Sequence, residues 1–167
     1  TRFALQAAEE AFNDAQIRPQ NNNRTRWGTV VGSGMMTADY AYWHRFQKNF
    51  AQEGDVNEGE IVNFDYDFYT TRDFGRNKTN SGLALLLQRY QIEGYATSVH
   101  TACASGGQAL GLALQAMRRN EVDHMLVGGF DSMINPFGVA SFCLLGALSS
   151  QNDTPKKASK PFDLTRE

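Results

Sequence analysis

Residues Tyr95 to Arg119 leave little choice of local fold. Tyr95 to Ala102 carries Tyr, Thr and Val, residue types that suit a buried strand. From Ala104 to Arg119 the polar residues Gln108, Gln115, Arg118 and Arg119 recur at helical spacing. Most of the remainder is Ala, Gly, Leu and Met, so nearly the whole circumference of this helix can be packed closely. Cys103 falls at the corner between strand and helix. There the first free helix amides and the positive end of the helix dipole point at its sulfur. That setting favours thiolate over thiol, and the thiolate is the nucleophile. Position alone does not decide the matter, because buried inert cysteine is common.

The same alternation of strand and helix runs through the rest of the chain. Phe3, Ala7, Ala8, Ala11, Phe12 and Ala15 fall at helical spacing, which predicts a helix over Arg2 to Gln16 packed on a sheet. The polar stretch Ile17 to Arg26, with Pro19 and three successive Asn, is a surface loop. Trp27 to Gly32 reads as a short buried strand ending in Gly32-Ser33-Gly34. That turn is no dinucleotide fingerprint, because no third glycine follows at the required offset. Tyr40, Trp43, Phe46 and Phe50 mark a helix over Thr37 to Asn49, with His44 on its solvated side. Gln52 to Asp67 has no period and reads as a loop. Its acids Asp55, Glu58, Glu60, Asp65 and Asp67 fit no calcium loop and are expected to be solvated. Thr79 or Ser81 is placed to cap a helix through Leu83, Leu86, Leu87 and Tyr90.

Val122 to Val127 is a second core strand, continuous in the manner of a parallel sheet, with His124 at its start and no evident partner. Pro136 to Leu148 predicts a helix in which Cys143 is core. From Ser149 the chain turns polar, and Lys156 to Pro161 is a surface connector. Strands alternating with helices imply an α/β layered fold with a largely parallel sheet. His100 precedes Cys103 by three residues, and strand side chains an odd number apart face opposite ways. His100 is therefore not expected to serve Cys103 as a base.

Composition narrows the function by exclusion. A net charge of −2 gives no global field for nucleic acid or an anionic membrane. Two cysteines, Cys103 and Cys143, make neither a disulfide framework nor a zinc spacing, and read as belonging to a reducing cytosol. There is no run of about eighteen apolar residues, and no basic-then-apolar leader opens the chain.

Thr101-Ala102-Cys103-Ala104-Ser105-Gly106-Gly107 resembles the nucleophile elbow of the β-ketoacyl-[acyl-carrier-protein] synthases. Two later stretches resemble the same family in the same order. They are Val127-Gly128-Gly129-Phe130-Asp131, and the run Gly146 to Ser150 with Asn152 to Pro155 and Ala158 to Asp163. The likeness is dense from Thr97 to Glu167 and looser before it. It implies the first half of a thiolase-like fold (αβαβα), with a mixed, largely parallel sheet and the helix after Cys103 in the middle layer. Residues 1–167 would then be the N-terminal ketoacyl-synthase domain, cut at both ends, of a chain more than twice as long.

The chemistry implied is decarboxylative condensation in fatty-acid or polyketide synthesis. Cys103 would receive an acyl primer from an acyl carrier protein, with its own backbone N–H as one oxyanion donor. An enolate formed from a malonyl thioester would then attack. The family's two enolate-stabilising histidines and supporting lysine lie beyond the point where this sequence stops. Met35, Gly138 and Phe142 correspond to positions that border the family's acyl pocket. Arg72, Arg76 and Lys78 are candidates for receiving an acidic carrier protein. The resemblance further implies a homodimer in the cytosol, with neither cofactor nor metal, and with no nucleic-acid or membrane partner. The alternatives are a non-catalytic chain-length-factor subunit, which usually lacks the elbow cysteine, and a thiolase-like acyl-CoA enzyme, which Asn152 to Asp163 does not resemble.

Overall fold

A computed structural model describes residues 2–34, 44, 71, 75 and 78–166. They fall in two compact units, Thr1–Asp131 and Ser132–Glu167. The expected helix over Thr37 to Asn49 and loop over Gln52 to Asp67 lie outside the described residues, as do Met35, Arg72 and Arg76. His44 and Lys78 are described and exposed.

In the first unit, α1 (Arg2–Ala15) precedes β1 (Trp27–Ser33), and α2 (Ser81–Tyr90) precedes β2 (Ala96–Val99). After these come α3 (Ser105–Arg118) and β3 (His124–Phe130). The sheet has the order β2-β1-β3. Both pairings are parallel, with Val30 opposite Thr97 on one side and Val127 on the other. β1 is apolar or small at nearly every position because both of its faces are covered. Trp27 and Val31 face α1 and α2, where they join Ala4, Ala8, Phe12, Leu83, Leu86, Tyr90 and Ile92. The Phe12 ring lies 4.6 Å from that of Tyr90 and 5.7 Å from that of Trp27. The Tyr90 hydroxyl reaches the Leu5 carbonyl at 3.2 Å, tying α2 to α1. Val30 points the other way, onto Ala109 and Ala113 of α3, as strand alternation requires.

Several expectations need correction. α3 is not buried all round. Ala109, Ala113 and Ala116 are buried with Ser105, whereas Leu110, Leu114 and Met117 are exposed. Neither Thr79 nor Ser81 caps α2, whose N-cap position is Asn80 without a side-chain bond. The Ser81 hydroxyl instead donates to the Gly75 carbonyl. His124 does have a partner, since its ring stacks on Trp27 at 4.5 Å.

In the second unit, α4 (Pro136–Leu144) starts at Asn135, whose side-chain oxygen accepts the Gly138 N–H at 2.8 Å. The helix ends sooner than Leu148. Gly146 adopts φ +63°. Its N–H donates to the Cys143 carbonyl at 2.9 Å, and that of Ala147 to the Phe142 carbonyl at 3.1 Å. This left-handed closure stops a helix irrespective of the apolar residues beyond it. Cys143 is exposed rather than core. α4 is apolar on every side, so its pattern does not say which side is covered, and Gly138 is its buried residue.

Candidate active site

The strand β2 stops at Val99, and Ala102–Ala104 form a 3-10 turn before α3 begins. Cys103 sits in the middle of that turn, exposed. Ala102, directly before it, has φ +51°. A left-handed alanine costs roughly 1–2 kcal/mol, so the turn persists only if its surroundings hold it.

The holding group is the Ser105 hydroxyl, on a residue only 3% exposed. It accepts the Thr101 N–H at 2.8 Å and donates to the Ala102 carbonyl at 2.7 Å. The Ser33 carbonyl stands 3.2 Å away as an alternative acceptor. Thr101 is fixed a second time, its hydroxyl donating to the Gln108 side-chain oxygen at 2.9 Å. β1 comes in very close here. A Cβ on Gly32 would lie 2.5 Å from the Ser105 carbonyl carbon and 2.7 Å from the Gly106 nitrogen. Only glycine lets the end of β1 touch the start of α3 in this way.

His100 is held between two hydroxyls. Its Nδ1 lies 3.0 Å from Ser33 Oγ and its Nε2 3.0 Å from Ser98 Oγ. Strand alternation does not reach Cys103, because β2 has ended, but both ring nitrogens are engaged by serines. Gly138 and Phe142 belong to the second unit, four residues apart and thus on one side of α4. Phe142 is half-buried. A Cβ on Gly138 would run into the Met133 carbonyl oxygen, so this glycine is required by close backbone packing. Among the described residues no three His, Cys, Asp or Glu side chains gather in a way that could hold a metal ion.

Ser105 was missed by pattern reading, as was the reason for Gly32. The signal was present in Ser105, since serine at a helix start bonds nearby backbone groups. Its partner Ser33, however, is 72 residues away.

The family model for the beta-ketoacyl synthase, N-terminal domain, matches residues 1–165. The chain belongs to this family. As a β-ketoacyl synthase N-terminal domain it is similar to 3-oxoacyl-[acyl-carrier-protein] synthase 2 of Coxiella burnetii, 28% identical over 166 residues. That alignment covers 99% of this chain and 37% of the relative. The Rhizobium meliloti protein of the same name is 30% identical over 177 residues, again covering 99% and 37%. Among solved structures, the domain is similar to a chain of AntDE:AntF, a type II PKS acyl-carrier protein in complex with its ketosynthase bound to the hexaketide. The TM-score is 0.77 and the identity 30%, over 99% of this chain and 39% of that one. The domain spans little more than a third of the length of the curated relatives it matches. These likenesses carry the α/β, thiolase-like fold class, to which the parallel sheet and its flanking helices conform. No described helix is long and apolar enough to cross a membrane.

Proposed function

We propose that the protein is the nucleophile-bearing part of a 3-oxoacyl-[acyl-carrier-protein] synthase. The observation that carries this reading is an exposed cysteine on a strained turn at the mouth of a parallel sheet, held by a buried serine. The Cys103 thiolate attacks the carbonyl of an acyl thioester, and the carrier leaves as its thiolate, which takes a proton from water. A malonyl thioester then loses carbon dioxide to give an enolate. Attack of that enolate on the acyl-Cys103 carbonyl releases the thiolate and a 3-ketoacyl thioester. The backbone N–H of Cys103 is one donor to the developing oxyanion, and a second comes from elsewhere. His100 and His124 take no part in this scheme, being engaged with serines and with Trp27. Met35, Gly138 and Phe142 border the acyl pocket, and Lys78 with Arg72 and Arg76 receives an acidic carrier protein. A homodimer and a reducing, cytosolic setting belong to the same reading. Cys103 itself argues against a chain-length-factor role.

The test is mass mapping of the full-length enzyme after brief exposure to an acyl thioester. The label is expected on Cys103, with Cys143 an internal control because it too is exposed. Cys103→Ser is expected to abolish condensation while leaving thermal unfolding almost unchanged. Acylation chiefly at Cys143 would overturn the reading.

A further inference from the structure

We infer that Ser105 is a positioning residue that holds the Cys103 turn in its reactive shape, an assignment that rests on the reading of Cys103 as the acylated group. Its hydroxyl closes a ring around the cysteine. It is bonded to the amide of Thr101 and the carbonyl of Ala102 on one side of Cys103, and is itself part of the helix on the other. A hydroxyl has one proton and can accept as well as donate, so both bonds are made together. The two backbone groups it ties flank the residue with positive φ, Ala102 at +51°. Without the hydroxyl the turn keeps only its backbone bonds, Ala104 N–H to the Thr101 carbonyl at 3.2 Å and Ser105 N–H to the Ala102 carbonyl. Ala102 then relaxes toward negative φ, which turns the peptide that carries Cys103. The burial of Ser105, at 3% exposed, keeps water from replacing the lost bonds.

This role differs from simple packing, because it acts on where the sulfur sits and not on whether the chain folds. Reacting atoms must approach within about 3–3.5 Å in good alignment, and a misplacement near 1 Å costs about a hundredfold in rate. Binding of the thioester, by contrast, depends on the pocket and the carrier surface.

The experiment uses the full-length enzyme and octanoyl-N-acetylcysteamine as acyl donor, following acylation of Cys103 by mass in a single turnover. Ser105→Ala is expected to lower the limiting rate, per folded molecule, by about a hundredfold, with half-saturation changed less than about twofold. Ser105→Thr, which keeps the hydroxyl, is expected to recover most of the rate. So is Ala102→Gly in the Ser105→Ala background, because glycine takes positive φ without strain. A wild-type limiting rate in Ser105→Ala overturns the inference. So does a loss that merely follows the loss of folded protein and is not recovered by Ala102→Gly. A wild-type enzyme acylated elsewhere than Cys103 overturns the proposed function itself, and the inference with it. Normal Cys103 acylation in both wild type and Ser105→Ala overturns the inference alone.

Discussion

Phe142 and Gly138 stand one helical turn apart yet invite different experiments. A side chain at Gly138 would strike the Met133 carbonyl, so substitution there disturbs the turn before it disturbs any pocket. Phe142 is half-buried and can be shortened without moving backbone. Phe142→Ala in the full-length enzyme is expected to extend the range of accepted primers toward longer chains, since each buried methylene gains about 0.8 kcal/mol. The check is transfer rate against primer length, and uniform slowing at every length would remove Phe142 from the pocket. Asp123 supports a second prediction. A hydrogen bond from Arg26 is the main cause that holds its carboxyl below the ordinary value of 3.8. The folded state therefore binds the proton less readily than the unfolded one. Its contribution is complete above that ordinary value and is lost as pH falls through the lower folded one. Acid unfolding followed downward from pH 5 is expected to be shallower in Arg26→Gln than in wild type. Identical acid slopes would show that this pair contributes nothing to the acid sensitivity of the domain.

The fully buried apolar positions of helix α3 are alanines, Ala109, Ala113 and Ala116, spaced four and three apart, with Leu112 packed beside them. Small side chains let the helix settle close on β1, where Val30 is wholly buried against them. Val30→Ala is expected to cost roughly 1.5–3 kcal/mol in denaturant unfolding, as loss of a fully buried side chain does. Ala113→Leu is expected to cost about 1–3 kcal/mol by overpacking the same contact. An unchanged midpoint in the leucine variant would mean that the helix can lift away freely. These elements were largely legible beforehand. Arg2 to Gln16, Trp27 to Gly32 and the strand–helix corner at Cys103 follow from period and residue type. What could not be read was the side of α3 that is covered, because leucines and alanines alternate around it and both are apolar. The exposure of Cys143 escaped for the same reason, α4 being apolar all round. The turn at Cys103 was legible as a strand-to-helix corner, but its fastening was not. Ser105 and Gly32 act through contacts between segments some 70 residues apart, which no local pattern encodes.

At the scale of the whole molecule, the parallel sheet imposes long crossings. β1 pairs with Ala96–Val99 on one edge and with His124–Phe130 on the other. Arg26 and Asp123, which clamp the β1–β3 edge, are 97 residues apart. Parallel strands need such crossings, because a tight turn can join only antiparallel neighbours. During synthesis, β1 therefore leaves the ribosome long before either partner exists. At about 5–20 residues per second it waits on the order of 5–20 s for β3. Until β2 emerges Trp27, Val30 and Val31 have no strand to pair with, and until β3 follows one edge of β1 stays open. Ribosome-stalled chains that expose residues up to 110 are expected to be cut rapidly within Trp27–Ser33 by added protease, and those that also expose 111–135 to resist. Equal resistance in the shorter chains would mean that β1 finds shelter before its second neighbour is made.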